Sequence, residues 1–565
     1  MSGTITITFE GEPVEAREGE SLAAALTAHG IDAFRTTRCE AERGLFCGMG
    51  VCQDCLVEVD GKPNQRACMT RVDRPLSVRR EAHARPLAPA MQGQPPATIG
   101  DVEVQMPEIL VIGAGPGGLS AAIAARRAGA QVLVVDERSQ PGGQYFKQLS
   151  VGAEAGPPPD RQHREGAALI EEARSLGVEL RSGVTVWGAF EPNEFAATAA
   201  GRPLRLLPKA AIVATGAYER GWPVPGWTLP GVMTTGAAQT LWRTARRLPG
   251  RRVLIAGNGP LNLQLAAELI EGGAEVPAVV EAAPRPGLAR LGALLAMARS
   301  SPRLIRDGLR YHAARRSGGA AMVHGMVVAG IEKTPAGLQV RLAPAAGTGA
   351  ERRYEVDAVC LGYGFEPSNE LLRALGCGHD FDPVRRQLVT RRDARGLTDM
   401  AGVYALGDCT GLGGARAALA EGTIVGLAAA AALGHAAPAG SRAASRRAGR
   451  DLARHRDFQK ALWSLYAAPA YSSKLATADT LICRCEEVSF GQIEEALGEE
   501  MELIGAVKRR TRVGMGRCQG RYCAPVLDAL LAERFGRPRD EFSGFAPRIP
   551  VKPVAIGDLA GPGAG

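Results

Sequence analysis

The sequence predicts an α/β protein of several domains, with two dinucleotide-binding βαβ units at its centre and a small cysteine-bearing domain at either end. Three observations lead there. The chain has 565 residues, more than a single hydrophobic core accommodates. It contains 71 Gly and only 5% aromatic residues, a balance that suits glycine-bearing βα turns better than an aromatic-rich sandwich. An apolar strand running into a glycine turn and a helix occurs twice, at ILVIGAG and at RRVLIAGNG, and each copy continues into a second apolar strand.

The first domain, residues 1–80, opens with Ile5, Ile7 and Phe9 alternating in a strand. A turn at Gly11 follows, and then a helix from Ser21 to His29 with Ser21 as its N-cap. Residues 81–106 are rich in Pro and poor in apolar periodicity, so they read as a linker. The first βαβ unit occupies 107–220 and the second 221–355. The second is read as an insertion, with 356–435 returning to the first domain. A second linker is expected at 436–479, a compact domain at 480–535, and an extended tail rich in Pro and Gly at 536–565.

The cysteines carry the most specific signal. Cys47, Cys52 and Cys55 follow C-x4-C-x2-C, and Cys68 comes thirteen residues later, the plant-type spacing for a [2Fe-2S] centre in a β-grasp-like ferredoxin domain. A loop that wraps iron and turns its N–H groups toward sulfide needs small residues, and Gly48 and Gly50 supply them. A structural zinc site would offer two short pairs, whereas Cys68 stands alone. Cys39 lies outside the spacing and reads as a small buried residue. The second set is Cys483 and Cys485, then Cys518 and Cys523. A C-x-C pair is strained around one tetrahedral zinc but suits the larger core of a second [2Fe-2S] cluster in a small helical domain. Seven Arg and Lys residues near this set predict that its centre is the better electron acceptor.

Gly113, Gly115 and Gly118 form G-x-G-x-x-G between strand and helix, with Asp136 ending the second strand eighteen residues after Gly118. The helix N-terminus would take a pyrophosphate and Asp136 the ribose hydroxyls, which suits NAD and FAD alike. Two distal segments distinguish them. AIVATGAY, with Thr215 and Gly216, and VYALGDCTGLGG, with Gly407 and Asp408, resemble the glutathione and thioredoxin reductase class. The resemblance implies FAD, with Asp408 on the ribityl chain; as an alternative, Asp408 is a helix N-cap. In the second unit Gly257 and Gly259 are kept, but Asn262 stands where the third glycine belongs. A side chain there is expected to push the helix outward. Glu281 ends the following strand and would favour NAD over NADP. No C-x4-C follows Gly142-Gly143-Gln144 and no C-x2-C occurs in the insert, which argues against a disulfide reductase. Cys360, Cys377 and Cys409 read as packing residues.

The formal net charge of +8 is dispersed, so nucleic-acid binding is not indicated, and the arginines between Arg442 and Arg456 read as a solvated face or linker. The N-terminus lacks a basic then apolar secretory pattern, and the longest apolar window, Thr423 to Leu433, is too short to span a bilayer. The expectation is a cytoplasmic protein without a transmembrane segment, at most peripheral to a membrane through its electron acceptor.

FCGMGVCQDCLV, GGQYF (with Gly143 and Gln144), PGVMTTGAAQ, CRCEE and TRVGMGRCQGRYC together resemble the FAD/iron-sulfur α subunits of cyanide synthase, opine oxidase and hydroxyproline dehydrogenase, and more distantly those of sarcosine oxidase. The last domain resembles bacterioferritin-associated ferredoxin. The resemblance implies FAD, two [2Fe-2S] clusters and NAD as a further candidate. It also implies a separate amino-acid-oxidase-like FAD subunit that carries the substrate site and oxidises a C–N bond, and a downstream electron acceptor. No catalytic residue is assigned to this chain. Electrons are expected to enter at the Cys483–Cys523 cluster, cross the FAD and leave through the N-terminal cluster. A self-sufficient NADH-dependent reductase is the main rival reading.

Overall fold

The computed structural model describes residues 3–81, 102–153, 159–436, 439–498 and 503–560. Most of the first expected linker, residues 82–101, lies outside them. Its described end contributes a strand, Glu103–Gln105, that pairs in parallel with Arg202–Leu206.

The N-terminal sheet has the order Glu12–Arg17, Thr4–Phe9, Ser77–Arg80, Leu56–Val59, Lys62–Arg66, with the parallel pair Thr4–Phe9 and Ser77–Arg80 flanked by antiparallel partners. The helix Leu22–Ala28 covers this sheet, and Ser21 caps it by accepting a hydrogen bond from the Ala24 N–H at 3.2 Å. This is a β-grasp arrangement, and its cysteine loop leads directly into Leu56–Val59.

In the central domain five parallel strands have the order Glu179–Ser182, Val132–Asp136, Ile109–Ile112, Ala210–Val213, Val403–Ala405. The helix Pro116–Arg127 follows Ile109–Ile112 in sequence and packs against Ala415–Ala432. A Cβ on Gly422 would come within 2.3 Å of the Gly117 carbonyl oxygen, and one on Gly426 within 2.1 Å of that of Ala121, so the two backbones meet closely. The apolar window read at Thr423–Leu433 is the second half of this 18-residue helix. Among the described residues it alone matches a membrane span by length and composition, and half of it is buried inside the protein.

The insert repeats the design with five parallel strands in the order Val232–Thr234, Ala358–Gly362, Val253–Gly257, Ala278–Glu281, Ala321–His324. Its boundary therefore differs from the expected 355/356, because Ala358–Gly362 pairs with the insert. The true crossings are Ala217–Glu219 and Phe365–Pro367, which pair antiparallel as a two-stranded hinge.

The expected linker at 436–479 is a correction of substance, since Ser441–Leu465 is a 25-residue helix. Ala448 and Leu452 pack on Ala417 and Ala420, while Phe458, Ala461 and Leu465 pack on Met297 of the insert helix Leu291–Ser300. The intervening arginines are exposed, and they hide an apolar stripe of helical period. The C-terminal domain packs the helices Phe490–Gly498, Ile504–Thr511 and Ala524–Phe535 around Ile493, Val507 and Leu527. The tail is irregular and anchored up to a short helix, Ile556–Ala560, which departs from the extended arm expected there. Phe545 is buried against Gly514 and Gly520, and the Val551 N–H donates to the Trp187 carbonyl at 2.8 Å.

His379 is buried near that tail, with its ring nitrogens 2.8 Å from the Cys377 carbonyl and 3.1 Å from the Thr390 hydroxyl. Burial pushes its pKa from 6.5 down to about 4. The unfolded chain thus binds the proton more readily across that window. The stability tied to neutral His379 is complete above pH 6.5 and is lost toward pH 4, at about 1.4 kcal/mol per pH unit. His379→Gln should flatten this part of the acid limb in denaturant titrations, and an unchanged slope would contradict the assignment.

Candidate functional site

The strand-to-helix turns of the central domain open on a cavity of about 690 Å³ that also touches the insert and the N-terminal cysteine loop. Gly115 is the N-cap of Pro116–Arg127 and Gly414 that of Ala415–Ala432. Neither helix has a side-chain cap, so two helix N-termini with free N–H groups face this space. A Cβ on Gly115 would meet no atom within 4 Å and would project into open space, whereas one on Gly143 would lie 2.8 Å from the Gly115 Cα. Gly118 does not line the cavity. A Cβ there would lie 1.9 Å from the Gly113 oxygen, so its part is to let the helix sit on the strand.

Asp136 accepts from the Ala114 N–H at 2.7 Å and the Arg138 N–H at 2.8 Å. Asp408 accepts from Gly413 and Gly414 at 2.9 and 2.7 Å. Burial raises the pKa of both carboxyls. Asp408 thus ties down the turn before the helix and lines the cavity, while Gly414, not Asp408, is the helix N-cap. Gly113, Gln144, Thr215, Gly216 and Gly407 line the same space, and the Thr215 hydroxyl donates to the Ser368 carbonyl at 2.6 Å. Two uncapped helix ends, a glycine facing open space and two half-buried carboxylates fit an elongated dinucleotide with an anionic middle.

The four N-terminal cysteines form one nest. Cys47, Cys52 and Cys55 are buried and Cys68 is half-buried; the Cys52 N–H donates to Cys47 Sγ at 3.4 Å. Cys47 contacts Cys52 and Cys68 through their side chains, and Cys68 in turn contacts Cys55. Burial opposes ionisation of Cys47, but hydrogen bonds from Cys52, Cys68 and the Met49 and Cys52 backbone outweigh it and hold this thiol well below its usual range. Cys52 is pushed well up, first by burial and then by Cys47. Thiols this crowded cannot all ionise unaided, but coordinated iron deprotonates its ligands. Gly48 and Gly50 have φ of +61° and +79°, and a Cβ on Gly48 would lie 2.8 Å from the Ala237 Cα of the insert helix Thr235–Ala245.

The second nest follows the same pattern. Cys485 Sγ lies 3.2 Å from Cys518 Sγ, and Cys483 contacts both Cys485 and Cys523. Hydrogen bonds from Cys485 and Cys523 hold the Cys483 thiol well below its usual range. Among the described residues no group of three or more His, Cys, Asp or Glu side chains is arranged around a single metal ion. The sulfurs of each nest instead touch in a chain. Cys39, expected to be buried, is exposed on the turn after Arg35–Thr36, where its N–H donates to Glu487 at 3.3 Å. Cys360, Cys377 and Cys409 are buried packing residues outside the cavity wall.

Residues 2–83 match the 2Fe-2S iron-sulfur cluster binding domain, residues 107–422 the pyridine nucleotide-disulphide oxidoreductase family, and residues 481–533 the BFD-like [2Fe-2S] binding domain. The opine oxidase A subunit of Agrobacterium tumefaciens (strain Ach5) is 34% identical over 474 residues, covering 80% of this chain and 91% of that one. The chain belongs to this opine oxidase family. Hydrogen cyanide synthase subunit HcnB of Pseudomonas aeruginosa is 30% identical over 456 residues, covering 79% and 96%. Among solved structures, L-proline dehydrogenase from P. horikoshii shares the fold, with a TM-score of 0.70 at 20% identity over 99% of this chain and 98% of that one. This member of the opine oxidase family is therefore an oxidoreductase with a flavin-type domain between two [2Fe-2S] domains, and its named relatives are subunits of larger enzymes.

The second dinucleotide unit of this family member departs from the first. Asn262, in place of the third glycine, turns its side chain toward Thr235 and Gly362. Its amide is buried, accepts from the Thr235 hydroxyl at 2.7 Å and donates to the Gly362 carbonyl at 3.1 Å. The room for it comes from the facing strands, where a Cβ on Gly362 would lie 2.2 Å from Asn262 Oδ1 and one on Gly257 2.6 Å from its Nδ2. Glu281 is buried and already accepts from Asn258, Gly259 and Ala283 at 2.7, 3.0 and 2.9 Å. Asn258 also donates to the Tyr466 carbonyl at 2.9 Å, so the end of the long helix sits over the glycine loop.

Sequence reasoning missed a buried polar group on the cavity wall. Lys147 donates to Gln239 at 3.0 Å, and burial pushes its pKa down to about 7. Glu219 accepts from the Gly236 N–H at 2.8 Å, and burial pushes it up to about 7. These residues come from three separated segments, and the only trace in the sequence is a Lys closing the otherwise uncharged run GGQYFK. Gly143→Val should cut the flavin that co-purifies with the chain at least roughly tenfold while leaving the iron content intact, because the branched side chain would collide with Gly115 at the uncapped helix end. Full flavin occupancy in that variant would exclude this end of the cavity as the pyrophosphate seat.

Proposed function

We propose that this chain is the electron-carrying subunit of a hetero-oligomeric dehydrogenase whose amino-acid-oxidase-like FAD partner oxidises the C–N bond of an opine, a proline or hydroxyproline, sarcosine or glycine. The observation that carries the reading is the joint lining of one cavity: Cys47, Met49 and Val51 from the first nest face the same space as the dinucleotide glycines. FAD bound there would supply exchange between two-electron and one-electron chemistry. The residues of this chain bind and orient. The helix ends at Gly115 and Gly414 take the pyrophosphate, Asp136 the ribose and Asp408 the ribityl side, while Gly143, Gln144, Thr215, Gly216 and Gly407 shape the walls. Cys47, Cys52, Cys55 and Cys68 hold one [2Fe-2S] cluster, and Cys483, Cys485, Cys518 and Cys523 the other.

The catalytic base belongs to the partner in this reading, and the protein works in the cytoplasm, at most peripheral to a membrane through its acceptor. NAD is the further candidate ligand, at the second unit, where Glu281 stands as Asp136 does in the first and Asn258 donates both to it and to the Tyr466 carbonyl. The test is co-purification with the partner followed by a screen of secondary amines and amino acids. The expected result is substrate-driven bleaching of this chain's flavin only in the complex. Rapid bleaching of the isolated chain by NADH would favour a self-sufficient reductase instead.

A further inference from the structure

The two nests meet in a single buried seam. Arg484 stands between Cys483 and Cys485, yet its guanidinium leaves its own domain. Its Nε lies 2.6 Å from Asp54, which stands between Cys52 and Cys55, and one NH2 group donates to the Trp227 carbonyl at 2.8 Å. The cation lies 3.7 Å from the ring centre of Phe46, the neighbour of Cys47, and 4.6 Å from that of Trp227. Both members of the ion pair are buried, with side-chain exposures of 4% and 1%.

Tyr522, beside Cys523, enters the same seam. Its ring meets Phe46 edge-on at 5.3 Å and Tyr218 at 6.0 Å, and the residue is 2% exposed. Its hydroxyl is buried without a hydrogen-bond partner, and Cys47, Cys52 and Cys518 are all close enough to act on it electrostatically. A buried phenol in a folded protein finds a partner, and the groups that act on this one are sulfurs of both nests together with the Glu219 carboxylate. Cys47 also lines the cavity, whereas none of the second nest's cysteines does.

We infer that the first nest is the middle station of one relay, in direct exchange with the second, and that Tyr522 of the C-terminal domain donates its hydroxyl hydrogen to a sulfur of the first centre and so sets its potential. The inference rests on the reading of both nests as [2Fe-2S] centres. It replaces the order expected from sequence, in which the flavin stands between the clusters. In each transfer one electron leaves the reduced centre and enters the oxidised one, and no proton or bond changes hands. Hydrogen bonds to cluster sulfur stabilise the reduced, more negative state, so the tyrosine raises the potential of a cluster held by another domain.

The test uses the full holoprotein and Tyr522→Phe, which keeps the ring and removes only the hydroxyl. EPR-monitored redox titration reads both centres, with the signals assigned through Cys68→Ser and Cys523→Ser. The expected result is a lower midpoint for the first centre. Held at the wild-type midpoint, its oxidised-to-reduced ratio rises about tenfold, or about 59 mV for one electron, with unchanged iron and sulfide content. The fully reduced wild type should also show spin–spin interaction between the two centres. An unchanged first midpoint in Tyr522→Phe, or two non-interacting signals, would overturn the inference. Protein lacking acid-labile sulfide would instead overturn the reading of the nests.

Discussion

The buried contact between Arg484 and Asp54 is the constraint on which the arrangement of domains turns. A guanidinium lying between Phe46 and Trp227, with Asp54 on one edge and the Trp227 carbonyl on another, uses both its flat faces and its forked donors. A lysine could supply the charge there but neither the stacking nor the fork. Breaking such a pair leaves a charge in the interior and typically costs about 3–5 kcal/mol, so the three domains it joins are coupled in stability. Asp54 also takes Arg35 at 3.2 Å, and Glu487 reaches back to Arg43 at 3.1 Å, extending the same seam toward the surface.

The seam also changes how the basic character of the second nest is understood. Counting cations along the sequence suggested a strongly positive surround and hence a high potential. In the fold Arg484 is paired with Asp54, Arg512 with Glu486 at 2.9 Å and Arg521 with Glu370 at 2.9 Å. Each pair reduces the net field at the sulfurs, and the Arg484 guanidinium contacts Asp54 and Phe46 of the first loop. Proximity in sequence assigned these charges to one nest, whereas packing divides them between the two.

What the sequence made legible follows from how local the underlying physics is. The α/β class, both glycine turns and the crowding of each cysteine set depend on residues within a few positions of one another, or on spacings that short loops impose. The parts that were not legible depend on long-range partners. Ser441–Leu465 is helical because Leu452 and Phe458 find two separate surfaces, yet its composition is that of an arginine-rich linker. Ala358–Gly362 belongs to the insert because of parallel pairing to Val253–Gly257, which no local pattern announces. Asn262 fits because Gly362, a hundred residues away, has no side chain. Lys147 and Glu219 share one wall only after two domains close on each other.

The two dinucleotide units show how one architecture serves two ends. In the first, a third glycine keeps helix on strand, and in both the N-cap glycine, Gly115 or Gly259, faces open space. In the second, Asn258 and Glu281 pair with each other and with the backbone, Asn262 pairs with the Thr235 hydroxyl and the Gly362 carbonyl, and Tyr466 closes the loop from above. The insert also works as support. Its Thr234 N–H donates to the Phe46 carbonyl at 2.8 Å, Ala237 backs Gly48, and Trp227 holds Arg484. It braces both nests.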